Sequence, residues 1–265
     1  MSLGRTLSLR GMLLAATVLA APSLASAQPV TGLYIGAGAG ANWINNPERL
    51  SLRGFGFPPG VTVSNAGKAN FDPGWTGVLS LGWGFGNGLR AEIEGNFREN
   101  EVTSIRGLGL APIGRTGGFQ RSYGVMGNVF YDFDFANFGL GQSVFQPYIG
   151  VGLGYVWTDW HNIRGVSVPT GLVLHADDTD GRFAYQAIVG VGTPLTWAGV
   201  PGLTLTAEYR FMGTLEPRLN ARLSTPAGAT VAAGQIETEK YNHSFLIGLR
   251  YAFMQPRPAP APVVA

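Results

Sequence analysis

The feature that most constrains this chain is an alternation that recurs along most of its length, with large apolar side chains at every second position and small or polar ones between. Period 2 sends successive side chains to opposite faces of an extended strand. Eight segments follow it. In the first, residues 32–43, Leu33, Ile35, Ala37, Ala39 and Ala41 share one face and Gly36, Gly38 and Gly40 the other. In the second, Leu79, Leu81, Trp83 and Phe85 oppose Ser80, Gly82 and Gly84. The third, residues 89–100, sets Leu89, Ala91, Ile93 and Phe97 against Arg90, Glu92, Glu94, Asn96 and Arg98. The fourth, near residues 119–135, sets Val125, Val129, Tyr131, Phe133 and Phe135 against Asn128, Asp132 and Asp134.

The later segments keep the pattern. Ile149, Val151, Leu153 and Tyr155 oppose Gly150, Gly152 and Gly154; Phe183, Tyr185, Ala187, Val189 and Val191 oppose Gln186, Gly190 and Gly192. In the seventh, Leu203, Leu205, Ala207, Tyr209 and Phe211 oppose Thr204, Thr206, Glu208 and Arg210. In the eighth, Phe245, Ile247, Leu249, Tyr251 and Phe253 oppose Ser244, Gly248, Arg250 and Ala252.

Magnitude decides which face meets which medium. An Arg or Lys on the lipid side of a membrane strand costs about 2–4 kcal/mol near the midplane, so the third segment must turn Arg90, Glu92, Glu94 and Arg98 inward. A soluble barrel would have the opposite polarity, with its second face in water. Glycine there would weaken the strands for no gain, whereas a narrow barrel needs small inward residues. The chain has 40 Gly and only 13% charged residues, against an average near 25% charged in soluble domains. These readings predict an all-β fold, an eight-stranded antiparallel up-and-down transmembrane β-barrel.

Connection lengths point the same way. They alternate long and short: residues 44–73, 86–88, 101–118, 136–146, 158–181, 194–202 and 215–240. Long loops on one side and short turns on the other are the habit of outer-membrane barrels, with the long loops extracellular. An even strand number then places both ends in the periplasm.

The flanks read differently. Arg5 and Arg10 precede an apolar stretch, residues 11–21, and Ala25-Ser26-Ala27 supplies small residues for a signal peptidase, so residues 1–27 read as a signal peptide cut before Gln28. The apolar stretch is too short for a spanning helix, which needs about 18 to 20 apolar residues. Its removal takes two of the 18 basic residues and none of the 16 acidic ones, leaving 16 of each. No basic field remains to suggest nucleic acid. The absence of Cys excludes disulfides and thiolate chemistry. Residues 28–253 form the barrel domain, and residues 254–265 form a Pro/Ala-rich periplasmic tail of the kind that makes a semi-rigid spacer.

Several motifs together resemble the OmpA-like transmembrane domain, within the wider group of small outer-membrane barrels: GLYIGAGAGAN, NVFYDFDF, PYIGVGLGY, FAYQAIVGVGTPL, LTAEYRFMGT and NHSFLIGLRYAF. The resemblance covers nearly all of the mature chain. It implies location in the outer membrane, with lipid and lipopolysaccharide around the barrel. The last segment is similar to the assembly signal of such barrels, with Gly248, Tyr251 and Phe253 in the matching places, which implies the barrel-assembly machinery as a partner. A rim girdle would ask for the same aromatics. In full-length relatives a Pro/Ala tract leads into a peptidoglycan-binding domain; this sequence stops at the tract, so direct peptidoglycan binding is not expected.

Eight strands enclose an interior that side chains can fill. Arg90, Glu92, Glu94, Arg98, Glu208, Arg210 and Arg250 lie near the short-turn ends of their strands and are expected at similar depth, as an ion network that fills the lumen or gates a narrow path. No cofactor or metal is expected. Asp177, Asp178 and Asp180 match only part of a calcium loop and read as a solvated loop tip. A barrel enzyme that modifies lipid A is the lesser alternative, and catalysis is not expected: adjacent His243 and Ser244 point to opposite faces, and His161 and His175 fall in a long loop without a triad. That loop region also carries Trp160, and another carries Pro58 and Pro59, so an extracellular ligand held by loops is the alternative to an envelope-structural or narrow-channel role.

Overall fold

A computed structural model describes residues 29–45, 47–108, 113–134, 143–195, 199–238 and 240–254. The signal segment, the tail beyond Met254 and the outward placement of Phe135 lie outside the described residues. Those residues hold twelve antiparallel strands: β1 (Thr31–Ile44), β2 (Glu48–Gly54), β3 (Thr62–Phe71), β4 (Gly74–Phe85), β5 (Leu89–Gly107), β6 (Ile113–Asp132), β7 (Gln146–Ser167), β8 (Val173–Pro194), β9 (Leu203–Thr214), β10 (Arg218–Ser224), β11 (Thr230–Thr238) and β12 (Lys240–Ala252).

The pairings arrange these strands in two tiers. In the first, β1 pairs with β4 and β12, β4 with β5, β8 with β9 and β9 with β12, while β5 to β8 pair in sequence. The ladder therefore returns to β1. In the second, β2 pairs with β3 and β11, β3 with β5, β10 with β8 and β11. The long strands β5 to β8 run through both tiers. Gly86 and Gly88, in the tight turn between β4 and β5, adopt positive φ angles of 77° and 93°, which glycine takes without a Cβ penalty.

The first tier carries its apolar residues outside. Leu79, Ile93, Val151, Leu153, Phe183 and Ile247 are all exposed, Leu153 at 73%. Aromatic pairs edge this surface at both ends. Trp75 meets Phe97 with ring centroids 4.9 Å apart, Tyr123 stacks on Trp157 at 5.8 Å, and Tyr131 meets Phe133 at 5.1 Å at the other end. A continuous apolar belt of this kind on a protein surface marks contact with lipid or a partner, and paired aromatic girdles mark the membrane interfaces.

Inside this tier, glycines make room for large neighbours. Tyr34 is paired with Gly82, Phe130 with Gly150 and Tyr148 with Gly190. A Cβ at Gly82, Gly150 or Gly190 would strike the facing ring. The inward glycines are thus seats for rings on the next strand.

The second tier corrects the expectation of long loops at 44–73, 101–118, 158–181 and 215–240. Most of those residues are strand, and their polarity is inverted. Leu50, Leu52, Ile105, Trp160, Ile163, Leu174, Leu219 and Ile236 are buried in one apolar cluster inside the tier, and Arg49, Lys68, Arg106 and Arg222 face out. The physical reason is the medium: beyond the lipid, water surrounds the wall, so the apolar face must turn inward. Trp160 and His161 are therefore not loop residues. Trp160 is 2% exposed, and its Nε1 donates to Gln120 Oε1 at 2.5 Å.

Candidate functional site

The candidate site is the lumen of the first tier, and strand parity places each of its side chains. Arg90, Glu92, Glu94 and Arg98 occupy alternate positions of β5 and are buried. Glu208 and Arg210 come from β9, and Arg250 from β12. Arg210 is bonded through Nη1 to Glu94 Oε2 and lies 2.7 Å from Glu208 Oε2. Arg90 donates to Asp132, with Nε 2.9 Å from Oδ2, and its Nη1 donates to Tyr34 Oη at 3.1 Å.

Polar residues join these pairs into one chain. Tyr34 Oη donates to Glu92 Oε2 at 3.0 Å, and Asn128 Nδ2 reaches Glu92 Oε1 at 3.2 Å and Glu94 Oε2 at 3.1 Å. Gln186 Nε2 donates to Asn128 Oδ1 at 2.7 Å, and Tyr148 Oη donates to Glu208 Oε1 at 2.6 Å. Arg90, Arg98, Arg210 and Arg250 thus balance Glu92, Glu94, Asp132 and Glu208 in formal charge. Between these groups a cavity of about 30 Å³, lined by Tyr34, Arg90, Glu92, Tyr148, Arg210 and Arg250, has room for water alone.

Two members stand apart from the ion pairs. Arg98, 1% exposed, donates through Nη1 to Asn96 Oδ1 at 2.8 Å, and its Nε and Nη2 lack partners among the described residues. Arg250 lies over the Tyr148 ring at 5.8 Å, with no carboxylate in salt-bridge range among the described residues. The expectation of similar depth also needs correction. Arg90 and Arg98 are eight positions apart on one strand, which at about 3.3 Å per residue separates them by roughly 26 Å along it. The charges form a column rather than a layer.

The sequence reading omitted Asp132 from this network although it placed Asp132 on the inward face. It also passed over Tyr34 and Tyr148, whose inward position follows from parity with the glycines beside them. Of the strand-end residues, Gly248 faces inward, where a Cβ would lie 2.7 Å from Ala37 O. Tyr251 meets Phe253 edge-on at 5.0 Å, and Phe253 is exposed at the rim.

Asp177, Asp178 and Asp180 are not at a loop tip either; they lie on β8, where the ladder to β10 is interrupted. There Asp178 Oδ2 accepts from Asn220 N at 2.8 Å and Asp180 Oδ2 from Arg218 N at 2.6 Å. Carboxylates stand in for main-chain acceptors across this gap. His243 Nδ1 meets Tyr209 Oη at 2.7 Å. His175 has its pKa lowered by burial first, and then by the charges of Arg222 and Arg164.

At the junction of the tiers, above the outward aromatics Trp43 and Trp75, Glu48 is buried with both carboxylate oxygens lacking partners among the described residues. Burial pushes its pKa up to about 7, with the charge of Lys240 offsetting part of that cost.

An antiparallel ladder that closes on itself, with an apolar outer belt edged by aromatic girdles, places the chain in the class of outer-membrane β-barrel proteins. The chain belongs to the outer membrane protein beta-barrel domain family, whose model matches residues 11–253. It is 37% identical over 251 residues to a protein called "Outer membrane protein" from Gluconacetobacter diazotrophicus, the match covering 92% of this chain and 64% of that relative. The chain therefore spans under two thirds of the length of this relative. Among solved structures, it resembles the outer membrane protein OprG from Pseudomonas aeruginosa, with a TM-score of 0.53 and 16% identity over 84% of this chain and 98% of that one. Neisserial surface protein A gives a TM-score of 0.42 at 16% identity, over 84% and 99% of the two chains.

Proposed function

We propose that this chain is an eight-stranded transmembrane barrel with an envelope-structural role, its second tier outside the cell and both ends in the periplasm. Each tier has eight walls if β5 to β8 are counted in both. The observation that carries the reading is the pair of fillings in series. A charge-balanced polar column occupies the membrane tier, and an apolar core occupies the tier above it. Ions crossing the barrel would have to break the first and dehydrate through the second. The aromatic girdles support this placement, since about eight to ten residues separate them, a span of roughly 20 Å at a strand tilt near 45°.

The experiment is planar-bilayer recording of the refolded mature chain. The structural reading predicts no steady conductance; regular open-channel steps would replace it with the narrow-channel reading. A second reading, recognition at the cell surface, is favoured by one observation. The second tier is a folded wall with its own core and presents a rigid polar surface. Loss of cell adhesion on deleting its tip at residues 56–60, with the barrel intact, would support that reading. We read the chain as a non-enzyme, because Tyr209 takes up His243, His175 lies beside two arginines rather than a nucleophile, and exposed His161 faces Phe119 on the next strand.

A further inference from the structure

The outer surface of the second tier contains an arrangement that sheets ordinarily avoid. Arg49 on β2 is directly opposite Lys68 on β3, and Lys68 is directly opposite Arg106 on β5. All three are exposed, and none has a carboxylate in salt-bridge range among the described residues. Like charges facing one another across strands are destabilising. A second row repeats the device across the barrel, with Arg222 opposite His175 and His175 opposite Arg164. There Asp177 adjoins the row and dilutes it. In the first row the residues two positions to either side of each cation, Pro47, Ser51, Ala66, Asn70, Ser104 and Leu108, carry no charge.

Height narrows the choice of partner. Arg106, the member of the row on β5, stands seven residues along that unbroken strand from Glu99, the partner of Trp75, which at about 3.3 Å per residue and a tilt near 40° is roughly 18 Å above the aromatic girdle. Phospholipid headgroups extend only about 5–8 Å beyond the hydrocarbon. A lipid phosphate at the height of the row must therefore be carried on a longer headgroup, as a saccharide provides.

We infer that the row Arg49–Lys68–Arg106 is a binding site for the phosphate groups of a membrane-anchored phosphorylated glycolipid, seated against the outer wall of the second tier. The anion relieves the repulsion among the three cations and ties the second tier to the surrounding leaflet. The inference rests on the orientation proposed above.

The test uses the full mature chain refolded into phosphatidylcholine vesicles, alone or with lipopolysaccharide bearing a phosphorylated core, with the same glycolipid dephosphorylated, or with phosphatidylglycerol. Only the phosphorylated glycolipid is expected to raise the unfolding midpoint, and added salt should weaken the effect. The variant R49Q/K68Q/R106Q is expected to be at least as stable as the parent in phosphatidylcholine, because the repulsion is gone. Its glycolipid retention should fall on the order of 100-fold at low salt, three cations contributing about 1 kcal/mol each. Equal retention by the variant, or equal stabilisation by the dephosphorylated lipid, would overturn the inference. So would equal stabilisation by soluble polyphosphate, which would make the partner a free polyanion. Orientation is checked separately. The chain has no Cys, so a Lys68→Cys variant on intact cells should react with an impermeant maleimide; failure there counts against the orientation, not the phosphate chemistry.

Discussion

Arg210 reaches carboxylates on two strands, Glu94 of β5 and Glu208 of β9, and is almost fully buried between them. Removing one partner of a buried pair leaves the other uncompensated, which typically costs about 3–5 kcal/mol. Arg210→Ala should therefore lower the unfolding midpoint in detergent, read as heat-modifiable gel migration. Adding Glu94→Gln to Arg210→Ala should recover part of the loss, since the stranded charge is then gone. Glycines give a sharper contrast. A Cβ at Gly190 would stand 2.5 Å from Tyr148 Cζ, whereas at outward Gly127 its nearest neighbour is Leu153 O at 3.9 Å. Gly190→Ala should cost about 1–3 kcal/mol through overpacking, and Gly127→Ala should be close to neutral in the same gel assay. Equal effects would mean that inward glycines are not ring seats.

At the scale of elements, the membrane tier was legible because eight segments share one polarity and the charges of β5 admit only one facing. The second tier was not, although its alternation is just as regular. Arg49-Leu50-Ser51-Leu52-Arg53 has the same period 2 as the membrane strands. Period alone does not say which face is inside; the medium does. Reading apolar residues as outward made this stretch look like loop. The lumen was legible through parity for its charges, but Tyr34 and Tyr148 were hidden because an aromatic in such a barrel also suits a girdle. Asp178 and Asp180 were hidden because a carboxylate that caps a neighbouring strand's N–H groups leaves no sequence pattern. The junction between the tiers carries its own prediction. Glu48 has a folded pKa near 7 against an ordinary value of 4.5, so the folded state holds this proton more tightly than the unfolded one. Its contribution is fully present below about pH 4.5 and is lost as pH rises through 7. Lys240 is the cation beside it, and Arg98 in turn acts on Lys240. The unfolding midpoint should fall between pH 5 and pH 8, and Glu48→Gln should flatten that slope; an unchanged slope in the variant would assign it to other groups.

At the scale of the whole molecule, the two tiers act as seals in series, and that arrangement makes a prediction neither seal makes alone. Conductances in series are limited by the smaller, so opening one tier leaves the barrel closed. Arg210→Ala with Glu94→Ala and Glu208→Ala removes the pairs that hold the lumen column together. Leu219→Ala with Ile236→Ala hollows the apolar core, at about 2–5 kcal/mol for each large-to-small change. In planar bilayers each set by itself should leave the membrane silent, and only the combined variant should pass ions, with heat-modifiable migration confirming that the wall still stands. If the lumen variant alone conducts, water already crosses the upper tier and that tier is display surface rather than seal. If the core variant alone conducts, the charged column is permeable as it stands, and Arg98 and Arg250, which form no salt bridge among the described residues, become the residues to vary next for anion preference.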